Sequence, residues 1–180
     1  MAVMPAAATT VEEESFRIEL PEGFEKFTRQ AQTVKSENGD IEQVTYISKD
    51  DEGDIVIVTY GQMPGVILDP EATMNSGRES LVKSLNATLA GQRKIEIDGK
   101  PGISFEYSAE KPRMIFARTD LVVAGPRLYQ VIYLTQTVES LREDETEEIF
   151  TSFDLNDQVI ELATAEVTRR AQAKASSNRQ

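Results

Sequence analysis

Apolar and polar positions alternate along much of the chain. Phe16, Ile18 and Leu20 alternate with Arg17 and Glu19, the two-residue period of a half-buried strand. Pro21 and Gly23 end that run. Ile41, Val44, Tyr46 and Ser48 mark a second strand over 41–48, whose imperfect alternation predicts a bulge near Gln43. Ile55 to Tyr60 is an almost continuous β-branched run, the pattern of a strand covered on both faces. The intervening Asp51-Glu52-Gly53-Asp54 predicts a hairpin turn. Residues 71–90 change period: Met74, Leu81, Leu85 and Leu89, with Val82 beside them, predict one helix stopped by Gly91.

Strand periodicity then returns. Residues 93–98 and 103–110 flank Asp98-Gly99-Lys100-Pro101-Gly102, which is hairpin-turn chemistry. A phosphate loop would need its glycines to lead into a helix N-terminus, and these lead into Ile103-Ser104-Phe105-Glu106-Tyr107. Residues 114–124 and 127–135, joined by Gly125-Pro126, predict a second hairpin. A short helix follows over about 140–152, opened by the capping-box spacing Ser140 to Glu143, and a strand ends near Leu155. Residues 1–14 read as a disordered leader, 15–155 as one domain, and 156–180 as a helical tail with a frayed end.

Composition narrows the chemistry. The chain has 180 residues, 39% hydrophobic, with 19 Lys and Arg against 31 Asp and Glu, a net charge of −12. Such a surface repels nucleic-acid phosphates and anionic headgroups and favours a basic protein partner. There is no Cys and no His, so thiol nucleophiles, His-based triads and imidazole zinc sites are excluded. No cofactor, metal or catalytic residue is assigned. No run reaches the roughly 20 apolar residues of a membrane span. The N-terminus has no basic start and no signal-length apolar stretch, which predicts a cytoplasmic protein as written. Its Pro-Ala-Ala-Ala-Thr-Thr stretch fits the start of an exported protein if the chain was trimmed.

Several clusters offer chemistry. Asp50 to Asp54 could ligate Ca²⁺, but its glycine spacing departs from an EF-hand loop and fits a solvated turn. Glu143, Asp144, Glu145, Glu147 and Glu148 either complement a helix dipole or form a face for a basic partner. Ser104, Glu106 and Ser108 share a strand face that is either wet sheet or pocket lining. Arg113, Arg118 and Arg127 could hold an anion or pair with surface carboxylates. Tyr107, Tyr129 and Tyr133 are expected in the core with their hydroxyls bonded at its edge. Asn86-Ala87-Thr88 is a sequon by letter, placed by its neighbours inside the predicted helix.

The order of elements, with FRIELPEGF near the start, KIEIDGKPGISFEY in the middle and GPRLYQVIYL followed by EEIFTSFDL, resembles the PsbP-like superfamily. That grouping holds photosystem II oxygen-evolving-enhancer proteins, a Ran-binding import factor, and bacterial lipoproteins and secretion chaperones. The resemblance spans about residues 15–155. It implies an α+β fold: an α/β/α sandwich with a mostly antiparallel sheet, one long helix after the third strand and one short C-terminal helix. It also implies a non-enzymatic, protein-binding role in a bacterial setting. The lipobox cysteine and the metal-site histidines of some branches are missing here.

The expectation is therefore a protein-binding module, an adaptor, chaperone or assembly factor. Glu143, Asp144, Glu147, Arg169 and Arg170 are its candidate contact residues. The alternative is a carrier of a lipid or other apolar molecule between sheet and helix, lined by Leu81, Leu85, Leu89, Phe105 and Ile132. A carboxylate enzyme built on Glu106 and Asp120 is the third reading.

Overall fold

A computed structural model describes residues 9–36 and 39–177. Its elements in chain order are β1 (Thr9–Glu12), β2 (Phe16–Leu20), β3 (Thr28–Ser36), β4 (Gly39–Lys49), β5 (Ile55–Gln62), α1 (Pro70–Ser84) and β6 (Thr88–Ile97). β7 (Lys100–Ala109), β8 (Ile115–Ala124), β9 (Arg127–Thr135), a 3-10 turn (Glu139–Arg142), α2 (Asp144–Thr151), β10 (Asp154–Leu155) and α3 (Asp157–Ser177) complete it.

Seven strands form one antiparallel sheet in the order β3-β4-β5-β9-β8-β7-β6. β2 lies between β1 and β10 in a second, three-stranded sheet. The strand alternation decides the layers. On one face Ile103, Phe105, Tyr107, Leu121 and Val123 receive Met74 of α1, with Leu81 and Val82 at the margin. On the other face Val44, Tyr46, Val56, Val58, Tyr129 and Val131 meet Phe16, Ile18 and Leu20 of β2. Ile149 and Phe150 of α2 and Ile160 of α3 close that same core. The fold is α+β, with helices outside a large antiparallel sheet.

Several local expectations change. Residues 1–8 of the expected leader lie outside the described residues, but Thr9–Glu12 pairs with β2 and is strand. β3 carries no apolar alternation because it is a polar, solvent-facing edge strand, and so left no signal. These two additions make α1 the element after the fifth strand. The helix expected over 71–90 stops at Ser84. Asn86 takes the left-handed conformation (φ 48°) and the chain reverses into β6. Leu85 and Leu89, which completed the apparent stripe, are 37% and 41% exposed. Gly91 is therefore no stop signal; it follows the β6 bulge between Leu89 and Gly91. No bulge occurs at Gln43, which pairs in register with Gln32 and Gly61.

The β6–β7 turn is tighter than expected. Ile97 pairs with Lys100, so Asp98 (φ 51°) and Gly99 (φ 72°) alone form it. Pro101 and Gly102 belong to β7. Pro101 is tolerated because β8 begins pairing only at Gly102. The expected capping box does not form: Ser140 lies in the 3-10 turn, and Glu143 precedes α2 with no side-chain cap. The 50–54 cluster is a turn. Asp50 Oδ1 accepts the amides of Glu52, Gly53 and Asp54 at 3.0, 2.8 and 2.8 Å.

Candidate functional site

Two concave surfaces gather the charged residues on the side of the sheet that carries α2 and α3. The first is a cleft between α2 and strands β6 to β8. Arg118 and Asp120 stand two apart on β8 and share one face, opposite Glu106 and Ser104 of β7. All but Glu106 are buried. Arg118 Nε donates to Asp120 Oδ1 at 3.4 Å, and its Nη1 donates to Glu147 of α2. Its guanidinium carbon lies 4.0 Å from the centre of the Phe150 ring. Arg142 reaches both oxygens of Glu106 at 2.6 Å. Arg93 of β6 lies 3.9 Å from the other oxygen of Glu147. The space divides around Glu147 into volumes of about 340 and 530 Å³.

Electrostatics fix the chemical state of this cleft. Burial pushes the Asp120 carboxyl up from its ordinary value, opposed by the Arg118 charge and a hydrogen bond from Ser104. The hydrogen bond to Glu106, and then its charge, raise Arg142. Each cation is paired with a carboxylate of another element, so Arg118 fastens α2 to the sheet and Arg142 fastens the 3-10 turn to β7. Such a network can hold layers in register. Glu106 and Asp120 do not form a carboxylate dyad, since each is engaged by its own arginine.

The second surface is a groove of about 690 Å³ between α3 and strands β3, β4 and β5. Its rim carries Glu14, Asp40, Glu42 and Glu166, and its floor Val44, Tyr60 and Met63. Arg170 of α3 donates to Glu166 one turn away. Arg127 lies over the Tyr60 ring, 4.9 Å from its centre, and donates to Gln62 Oε1 at 2.7 Å. Among the described residues no cation of the chain forms an ion pair with Glu14, Asp40 or Glu42. The packing of α3 sets the position of this wall. A Cβ on Gly125, in the β8–β9 turn, would lie 2.3 Å from Thr164 Oγ1 and 3.2 Å from Ile160 Cγ2.

The residues expected to contact a partner therefore fall into two groups. Glu143, Asp144 and Glu147 line the α2 cleft. Arg170 lines the α3 groove, and Arg169 is exposed on the same helix. Arg113, Arg118 and Arg127 do not converge: Arg113 is exposed before β8, Arg118 is buried under α2, and Arg127 belongs to the groove. The Ser104 face is not wet sheet but cleft lining. Tyr107, Tyr129 and Tyr133 are buried, and Tyr133 donates to Asp54. Burial and that hydrogen bond push the Tyr133 phenol up. Asn86 and Ala87 form the turn after α1 and Thr88 opens β6, so the sequon is not inside a helix. Leu85 and Leu89 are exposed, so the five residues expected around an apolar ligand do not close one cavity. Arg93, Arg142 and the groove carboxylates belong to these surfaces without any motif in the sequence that marks them.

No family model matches the chain, and no curated protein matches it in sequence. Solved structures do match in shape. The solution structure of cyanobacterial PsbP (CyanoP) from Synechocystis sp. PCC 6803 superposes with a TM-score of 0.59 at 12% identity. That alignment covers 87% of this chain and 96% of the other. A protein of unknown function from Pseudomonas aeruginosa aligns over 79% of this chain and 91% of its own, at 12% identity and a TM-score of 0.40. The chain has a PsbP-like fold.

Proposed function

We propose that this protein is a non-catalytic protein-binding module, an adaptor, chaperone or assembly factor. The observation that carries the reading is the far half of α3. Ile160 and Val167 bury the near half against the body. From Thr168 to Ser177 every residue is exposed, and the charged ones are Arg169, Arg170 and Lys174, with no carboxylate. A polar helix end that leaves its domain gains little from propensity alone and is suited to be covered by another surface. It also carries the sign opposite to the rest of the chain.

The test compares the intact chain with one ending at Thr168 and with R169E/R170E, at low and high salt, by capture from native lysate. Cutting at residue 155 would also remove buried Ile160 and Val167 and would confound capture with folding. Unchanged melting with loss of one captured protein is expected for both variants. Identical capture by all three chains would end the assignment to α3.

A further inference from the structure

The acidic groove beside α3 specifies what it takes. Resting on the protein-binding reading above, we propose that this groove docks a basic amphipathic segment of a partner protein, a large apolar side chain flanked by Lys or Arg.

Three features of the groove converge on that chemistry. Its rim sets four carboxylates against two guanidinium groups, and both of those are engaged: Arg170 with Glu166, Arg127 on Tyr60 and Gln62. Glu14, Asp40 and Glu42 are exposed and form no ion pair among the described residues, so they are free to receive cations from outside. Apolar side chains line the groove beside these charges, Tyr60 and Met63 on the strand side and Leu162, 69% exposed, on the α3 wall. The groove is open to solvent along its length, with a volume of about 690 Å³.

Other occupants fit less well. A metal ion needs converging ligands, and no group of three acidic side chains close enough to hold one exists among the described residues. Nucleic acid and anionic lipid meet a repulsive rim. The basic end of α3 from a second copy offers Arg169 and Lys174, but its only apolar residues after Val167 are alanines, which leave the Leu162–Met63 floor unfilled. A segment with both a cation and a large apolar side chain satisfies rim and floor together.

The test uses fluorescein-labelled synthetic 12-residue peptides in anisotropy titrations of the full chain: alternating Leu-Lys, alternating Ser-Lys and alternating Leu-Glu. The Leu-Lys peptide is expected to bind saturably, with Ser-Lys weaker by about tenfold and Leu-Glu inert. E42K and L162S, both at exposed positions, are expected to weaken Leu-Lys binding by about fivefold each, while E110K, exposed and outside both concave surfaces, leaves it unchanged. Equal binding of Leu-Lys and Ser-Lys, or indifference to E42K and L162S, overturns the proposal. If the lysate capture described above still depends on Arg169 and Arg170 in that case, the protein-binding reading stands without this groove; if neither responds, both fall.

Discussion

The cleft under α2 and the groove beside α3 are built from the same side chains, arginines and carboxylates, and they differ in how those charges are answered. Under α2 the carboxylates nearest the sheet meet arginines from other elements: Arg118 from β8 grips Glu147 from α2, and Arg142 from the 3-10 turn grips Glu106 from β7. Beside α3 the pairing is local, Arg170 to Glu166 on one helix, and the strand and leader carboxylates face solvent. Charges that are satisfied across layers bind the molecule to itself. Charges left facing outward are available to something else. Counting acids in either place would have missed this, because the two surfaces have similar composition.

The largest effect that would break the contrast lies at Arg118. Arg118→Ala takes from buried Asp120 the cation that is bonded to it and removes the contact with Phe150; it should cost about 3–5 kcal/mol in chemical denaturation. Replacing both residues, R118M/D120L, should cost far less than R118A alone, since no uncompensated buried charge remains. A double variant as unstable as the single one would show that the pair does more than fasten α2. Next comes Gly125→Ala. Its positive φ of 59° and the 2.3 Å approach to Thr164 push α3 off the turn, with an expected loss of about 1–3 kcal/mol. That change should also weaken peptide capture in the groove while leaving the α2 cleft intact, and G125A/T164A should recover part of the stability.

A smaller effect depends on pH. Burial raises the Asp120 carboxyl, so the folded chain holds this proton more tightly than the unfolded one. Its contribution is complete below the ordinary carboxylate value of about 3.9 and is lost as pH rises through the raised value. The stability of the parent chain relative to D120N should therefore decline as pH rises from about 4. A flat difference would remove burial as the dominant influence on Asp120. The smallest effect belongs to Arg142→Gln: the Arg142–Glu106 pair is bidentate, but the Arg142 side chain is 64% exposed, so a loss of about 0.2–1 kcal/mol is expected.

Much of this architecture was legible in the apolar pattern. β2, β4, β5, β7, β8 and β9 each show either alternation or a β-branched run, because each buries at least one face; the edge strand β6 shows only Ile95 and Ile97, half-buried at its end. β3 was illegible for the opposite reason: an edge strand facing water has no face to mark. The helix after β5 was extended too far because Leu81, Leu85 and Leu89 mimic a helical stripe, and nothing in that spacing reveals that Asn86 turns left-handed. The candidate site was half visible. Arg118 and Asp120 interrupt an apolar strand two residues apart, which places both on one buried face and is a signal of a pair. Asp40 and Glu42 stand two apart on β4 without interrupting an apolar run, and Glu14 and α3, which complete the groove, come from distant parts of the chain.

The small sheet has a consequence for the order of events in folding. Phe16, near the start of the chain, pairs with Leu155, and its ring packs 5.6 Å from that of Phe153. During synthesis β2 can pair at once with β1, but it must wait for nearly the whole domain before its other partner, β10, leaves the ribosome. The loop that this pairing closes is among the longest the chain can make, and the entropy of closing it must be met before the contact returns anything. The large sheet can zip up through its hairpins meanwhile, but the side of the core that Phe153, Leu155 and Ile160 close stays open until the last strand and α3 arrive. A nascent chain stalled short of residue 153 would thus expose a broad apolar surface, and that interval is when this protein would itself need a chaperone.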